Sequence, residues 1–325
     1  MPDNRRTFLK RTMGAAALAT VGTGSQAEAS QTGPNPDQLG VLVDTTRCVG
    51  CRKCEKACNA INTDLPRRPE GFFEDPGIFD EQRRMDYAAY TVVNRNENPD
   101  DPGDPVYVKA QCMHCVSPAC VSACIVGAIS REHDGAVSYD ASKCIGCRYC
   151  MVACPFQVPA YEYGNGLTPK IRKCTFCFET RLSQGEMPAC VQECPMQVMT
   201  FGKRADILEE GRRRIRTKPN LYIPHIYGEH EVGGTSWVYL SSISFQEMGL
   251  PKFGYHPVPG FTEPLQHMIF KWFLPPLALY ASLGTIMWHL GSRRKRAEEA
   301  TAKIESEPAT EAGGFSTKEG PDEQS

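Results

Sequence analysis

The residues of this chain able to do chemistry together are its sixteen cysteines, which form four groups of four between Cys48 and Cys194. The first group is C-V-G-C-R-K-C-E-K-A-C (Cys48, Cys51, Cys54, Cys58) and the third is C-I-G-C-R-Y-C-M-V-A-C-P (Cys144, Cys147, Cys150, Cys154). Both have the interval C-x2-C-x2-C-x3-C of an iron-sulfur loop. The second group (Cys112, Cys115, Cys120, Cys124) and the fourth (Cys174, Cys177, Cys190, Cys194) keep the opening C-x2-C and the closing C-x3-C but lengthen the middle interval. The spacing has a geometric meaning. Three thiolates from one tight loop cap three corners of an iron-sulfur cube, while the fourth, at the start of a short helix, points away and reaches the neighbouring cube. Each pair of groups therefore holds two clusters.

The elements that must position these groups indicate which of them pair. After Cys124 the chain reads I-V-G-A-I-S, turns at H-D-G and continues A-V-S-Y-D into Cys144, a hairpin that joins the second group to the third. The first group is preceded by the strand-like Val41 to Asp44 and the fourth is followed by V-M-T-F-G (Val198 to Gly202), so each has the strand the other lacks. Groups one and four are thus expected to close a second unit across the whole domain. The fold class that follows is α+β: two interleaved bacterial-ferredoxin-like units in residues 40–202, with an inserted segment at 59–111. The expected ligand sets are Cys48, Cys51, Cys54 and Cys194 (cluster A), Cys58, Cys174, Cys177 and Cys190 (cluster B), Cys112, Cys115, Cys120 and Cys154 (cluster C), and Cys124, Cys144, Cys147 and Cys150 (cluster D).

Two rival readings of the cysteines fit less well. A disulfide framework would need eight crosslinks in a domain large enough for its own core, and cysteines so close in sequence bridge poorly. Zinc favours two C-x2-C knuckles a dozen or more residues apart, which only the fourth group resembles. With cysteine at all sixteen positions, the expected cofactors are four [4Fe-4S] clusters. His114, inside the second group, is expected to tune a cluster by hydrogen bonding rather than to ligate it. His267 and His289 are about 33 Å apart along a helix, too far to share one haem. There is no G-x-S-x-G, H-E-x-x-H or Walker loop, so no catalytic residue is assigned and the electron chemistry belongs to the cofactors.

The rest of the chain bears on where it works. Lys plus Arg (36) nearly balance Asp plus Glu (38), which leaves no electrostatic footprint for nucleic acid. Residues 1–29 read as a twin-arginine signal peptide, with Arg5-Arg6, a weakly apolar Met13 to Gly24 and a small-residue cut after Ala29. Within 265–291, the run Trp272 to Gly291 contains no Asp, Glu, Lys or Arg and predicts one transmembrane helix. Arg293 to Arg296 follow at once, which by the positive-inside rule puts the C-terminus in the cytoplasm and anchors the cysteine domain in the bilayer on the periplasmic face of the inner membrane. Residues 297–325 are expected to be a disordered cytoplasmic tail. The insertion, with strand-like runs at Tyr90 to Val93 and Val106 to Lys109, is expected to be ordered and to offer a partner surface. In the C-terminal extension, 203–264, residues 204–216 predict a short amphipathic helix weakened by Gly211, its Arg212 to Arg214 run a solvated face, and Trp237 to Leu240 predict a strand.

The four-group pattern with C-M-H-C, C-I-G-C-R-Y-C-M-V-A-C-P and K-C-T-F-C, then Y-G-E-H-E-V-G-G-T-S-W-V-Y-L and one C-terminal helix, resembles the four-cluster subunits of respiratory oxidoreductases over roughly residues 40–291. Within that group it is most similar to the HybA-type subunits of hydrogenase-2-like nickel-iron hydrogenases, which carry their own twin-arginine signal. The resemblance implies a non-catalytic electron relay from the small and large subunits of a periplasmic hydrogenase to an integral membrane, quinone-reactive subunit of the NrfD type. The beta subunit of respiratory formate dehydrogenase, or that of another molybdenum oxidoreductase, is similar in clusters and is the alternative. Asn59 and Ile125 depart from the proline that often follows the last cysteine of a group.

Overall fold

In the computed structural model, residues 35–166, 168–260, 262–263 and 274–306 are described. The expected signal peptide lies outside them. The chain divides into two units, residues 1–261 and 262–325.

The first unit is organised by strand β1 (Leu39–Asp44). Its centre, Val41-Leu42-Val43, is apolar on both faces, as a strand covered on both sides must be. Val41 and Val43 join Phe176, Trp237 and Tyr239 in the main core, while Leu42 packs with Ile207, Leu208 and Ile226. Strand β8 (Met199–Lys203) runs antiparallel to β1 with Val41 opposite Phe201, and β9 (Trp237–Leu240) runs parallel on the other side with Val41 opposite Trp237. The strand before the first cysteine group is thus hydrogen-bonded to the strand after the fourth. Three hairpins complete the unit. They are β2 (Thr91–Asn96) with β3 (Val106–Gln111), β4 (Ile129–Arg131) with β5 (Val137–Tyr139), and β6 (Ala160–Tyr161) with β7 (Ile171–Arg172). The β2–β3 pair gives the insertion its ordered frame.

Four short helices each carry cysteines: α1 (Lys53–Ile61), α2 (Ala119–Ser122), α3 (Tyr149–Ala153) and α4 (Ala189–Gln192). Helix α1 packs against α4 and α2 against α3. The expected helix at 204–216 is α5 (Arg204–Thr217). Gly211 lowers its intrinsic propensity by about 1 kcal/mol, and a Cβ there would stand 2.9 Å from Ile226 Cδ1, so a larger residue would make the Ile226 side chain shift. Arg212 and Arg213 face solvent and pair with Glu229 and Glu210. Arg214 departs from the expected solvated face: it is largely buried and reaches Asp44 at 3.1 Å.

The second unit contains one long helix, α6 (Leu274–Ser306). It corrects the expectation of a transmembrane helix. Among the described residues no helix is long and apolar enough to cross a membrane, so the expected bilayer anchor does not hold, nor does the periplasmic-face placement with a cytoplasmic C-terminus that rested on it. The absence of charge from the run was a poor guide to its hydropathy. Pro275, Pro276, Tyr280, Ser282, Thr285 and His289 dilute its apolar residues, and the helix continues without a break through Arg293 to Arg296 and the charged residues beyond. Helix α6 also includes the start of the segment expected to be a disordered tail, while residues 307–325 lie outside the described set.

Candidate metal centres

All sixteen cysteines are free thiols in the first unit. The loops that present them share one backbone device. The residue before the second cysteine of each group, Gly50, His114, Gly146 or Phe176, has positive φ, between +47° and +71°. Glycine adopts this conformation without strain, whereas His and Phe hold it only where packing over-determines it. Here His114 and Phe176 supply the packing to each other, their rings stacked with centroids 4.8 Å apart. The loops also fall into two kinds. Arg52 and Arg148, in left-handed conformation, precede α1 and α3, while Pro118 and Pro188 precede α2 and α4. Each packed pair of helices joins one kind to the other.

Cys48, Cys51, Cys54 and Cys194 line one cavity together with Arg52, Lys109 and Met196. Cys58, Cys174, Cys177 and Cys190 line a second, with Lys109, Phe176 and Trp237. In the inner pair of groups, Cys115 has Cys112, Cys120 and Cys154 as charged-state neighbours, and Cys150 has Cys124, Cys144 and Cys147. The first two groupings thus each line a cavity, and the inner cysteines named here neighbour one another. Across these groupings Cys54 neighbours Cys190, Cys174 neighbours Cys112 and Cys120 neighbours Cys150. Only Cys51, in the first set, and Cys147, in the last, are exposed.

The surroundings test whether these sets suit an anionic, sulfur-rich cofactor. Burial raises the Cys48 and Cys150 thiols to about 11 and Cys174 to about 12, and raises Cys54, Cys58, Cys115 and Cys120 further. As thiolates these sulfurs need a cation among them, and bound iron supplies one. Among the described residues no three His, Cys, Asp or Glu side chains converge on a single metal ion; the first two sets instead border cavities. Each of those cavities is also lined by a residue with an unused buried donor: Arg52 Nε at the first and Trp237 Nε1 at the second. Backbone N–H groups already point at sulfur, from Ala128 to Cys124 at 3.2 Å, from Val198 to Cys194 at 3.4 Å and from Phe176 to Cys174 at 3.4 Å. Thiolates, N–H donors and buried cations together fit an iron-sulfur cluster.

His114 is fully buried, and burial, then Lys173 and Lys109, hold its imidazole well below its ordinary value. Its Nδ1 accepts from the Val137 N–H at 2.9 Å, which leaves the proton on Nε2, itself buried and without a partner. Two groups of residues beside the site were not singled out from the sequence. Lys109 ends the recognised run Val106 to Lys109, yet it is buried beside six of the sixteen thiols. Glu55, in C-R-K-C-E, accepts from Arg52, Arg83 and the Val93 N–H, tying the first cysteine loop to the insertion. A charged residue at a strand or helix position that must be buried is the one signal either leaves in sequence.

Comparison with known proteins agrees with this chemistry. Residues 104–204 match the family described as a 4Fe-4S dicluster domain. A protein of Nitratidesulfovibrio vulgaris strain Hildenborough is 48% identical over 80% of this chain and 70% of its own length. The hydrogenase-2 operon protein HybA of Escherichia coli O157:H7 is 34% identical over 87% of this chain and 94% of its own. The chain belongs to the HybA family. The nitrate-inducible formate dehydrogenase iron-sulfur subunit of Escherichia coli K12 is a more partial relative, 32% identical over 66% of this chain and 73% of its own length. Like its relatives, this HybA-family chain is an iron-sulfur electron-transfer subunit of an oxidoreductase.

Proposed function

We propose that this chain relays electrons through four [4Fe-4S] clusters between the small and large subunits of a nickel-iron hydrogenase and an integral membrane, quinone-reactive subunit of the NrfD type. The ligand sets are Cys48, Cys51, Cys54 and Cys194; Cys58, Cys174, Cys177 and Cys190; Cys112, Cys115, Cys120 and Cys154; and Cys124, Cys144, Cys147 and Cys150. The observation that carries the reading is the succession of four adjoining thiol sets of which the first and last alone contain an exposed cysteine, Cys51 and Cys147. When bound, each cluster takes up and gives back one electron. The chain's own part is to hold each set rigidly, to exclude water from the two middle sets and to leave one exit at each end. Val49 and Met196 are exposed beside Cys51, and Ile145, Tyr149 and Val152 near Cys147, so both ends have apolar side chains for partner subunits to cover.

The experiment is to purify the chain with its native partners in mild detergent under anaerobic conditions. Iron, acid-labile sulfide and the accompanying heavy metal are then measured. About sixteen iron and sixteen sulfide per chain are expected, four per cluster, with stoichiometric nickel. Molybdenum or tungsten without nickel would replace the hydrogenase partner by a formate dehydrogenase or related enzyme, a relationship the formate dehydrogenase subunits also support. Iron well below sixteen, with zinc in its place, would refute the relay itself.

A further inference from the structure

Lys109 is 3% exposed and is the one residue that lines both cavities, that of Cys48, Cys51, Cys54 and Cys194 and that of Cys58, Cys174, Cys177 and Cys190. It comes from β3, in the insertion, and not from any cysteine-bearing segment. A closed ring of hydrogen bonds fixes it. Its Nζ donates to Gln111 Oε1 at 2.8 Å, Gln111 Nε2 donates to the Tyr239 hydroxyl at 2.7 Å, and that hydroxyl donates to the Lys109 carbonyl at 2.9 Å. The ammonium lies 4.5 Å from the centroid of the Trp237 ring. Among the described residues no carboxylate pairs with it; its negative neighbours are sulfurs, those of Cys190, Cys54 and Cys174. A buried ammonium without a counter-ion is strongly unfavourable, so its charge must be compensated by what the two cavities hold.

We propose that Lys109 is an electrostatic element shared by the clusters of the first two sets, holding both of their reduction potentials up. The inference rests on the four-cluster reading given above. One-electron reduction adds a negative charge to a cluster, and a fixed ammonium at the wall of its cavity, poorly screened in the interior, favours the reduced form. Because the same ammonium lines both cavities, the two potentials move together. The other buried lysine, Lys173, is bound to the carbonyls of Val137 and Cys174 and lines neither cavity. The insertion therefore contributes to electron transfer directly, by delivering a charge between two clusters.

The test is an EPR-monitored redox titration of the cluster-loaded chain, comparing the unaltered protein with Lys109→Met and Lys109→Arg. Four one-electron waves are expected in the unaltered chain. In Lys109→Met two of them, including the one altered by Cys194→Ser, should fall by at least a tenfold change in reduction equilibrium constant, which is 59 mV for a one-electron couple. The other two should stay in place, and Lys109→Arg should leave all four close to their original positions. Four unmoved waves in Lys109→Met with full iron and sulfide overturn the proposal, as do four waves that move equally. If Lys109→Met loads poorly, Gln111→Glu, which sets a carboxylate against the ammonium, must lower the same two waves; no shift there also overturns it. Fewer than four waves in the unaltered chain would refute the four-cluster reading, a result separate from the behaviour of the variants.

Discussion

Replacing Glu55 by alanine should unfasten the first cysteine loop from the insertion and destabilise the whole unit. The carboxylate is 4% exposed and accepts four hydrogen bonds: from Arg52 Nη2 at 3.1 Å, from Arg83 Nη2 at 2.5 Å and Nη1 at 3.2 Å, and from the Val93 N–H at 2.6 Å. Its removal strands two guanidinium groups, of which Arg52 is only 1% exposed, and one backbone donor. Breaking a buried ion pair from one side costs about 3–5 kcal/mol. In a unit of this size 1 kcal/mol moves the midpoint by about 2–4 °C, so Glu55→Ala should lower Tm by on the order of 10 °C. Cluster loss makes unfolding irreversible, and the comparison is therefore made at one scan rate, or as half-lives at one temperature. Glu55→Gln, which keeps an acceptor oxygen but not the charge, should fall between. Glu210, half-buried with Arg213 and Arg214 on the surface of α5, provides the control. Surface pairs contribute about 0–1 kcal/mol each, so Glu210→Ala should shift Tm by only a few degrees. Because Arg52 lines the cavity of the first set, iron from that cluster should leave before the rest of the unit unfolds. A Glu55→Ala chain with full iron content and the midpoint of the unaltered protein would show that the buried network does not fasten the loop as argued.

Three further outcomes follow from the site. Cys194→Ser should perturb the EPR signal of the cluster bound by Cys48, Cys51 and Cys54; loss confined to a cluster bound by Cys144 would overturn the pairing. Chelation by a membrane-impermeant iron chelator should release iron in two phases of equal amplitude, the fast one from the first and last sets, where Cys51 and Cys147 are exposed. A single phase would mean that exposure does not control access. Gly50→Ala should destabilise more than Gly71→Ala in matched thermal scans. Both glycines have positive φ, which costs a non-glycine residue about 1–2 kcal/mol, but a Cβ at Gly50 would stand 2.4 Å from the Tyr107 ring while one at Gly71 meets nothing within 4 Å. Equal effects would place the cost in the backbone alone.

Much of the cysteine domain could be read from one dimension because its signals are periodic or exact in spacing. The strands at 41–44, 90–93, 106–109 and 237–240 and the helix at 204–216 are present within three residues of their expected limits. The grouping of the thiols followed from which group lacked a flanking strand, a local property with a long-range answer in the β1–β8 ladder. What sequence did not disclose is three-dimensional in origin. The stacking of His114 on Phe176 joins residues from two groups through conformations unfavourable to each alone. Lys109, Gln111 and Tyr239 meet only because β3 and β9 approach in the fold. At the C-terminus the error was of another kind. Twenty residues free of charge are not thereby apolar, since prolines, hydroxyls and a histidine interrupt the run.

The β8–β1–β9 sheet also has a consequence for the order in which the molecule is made. Synthesis proceeds from the N-terminus, and domains fold as their parts become available. The second and third cysteine groups, with the β4–β5 hairpin between them, have all their sulfurs once Cys154 has emerged, while the second loop still waits for Phe176 and for residues 234–236. The first set cannot close so early. Leu39 waits for Lys203 and Asp44 for Leu240, so Cys48, Cys51 and Cys54 leave the ribosome long before Cys194 and the strand that fixes it. Contacts so distant in sequence form slowly, because loop entropy is lost before they reward it. The second and third cysteine groups are therefore the first to have all their sulfurs in the growing chain. A nascent chain halted before residue 194 would carry Cys48, Cys51 and Cys54 without the strand that follows Cys194, the state in which the growing protein is most open to wrong metals and oxidation.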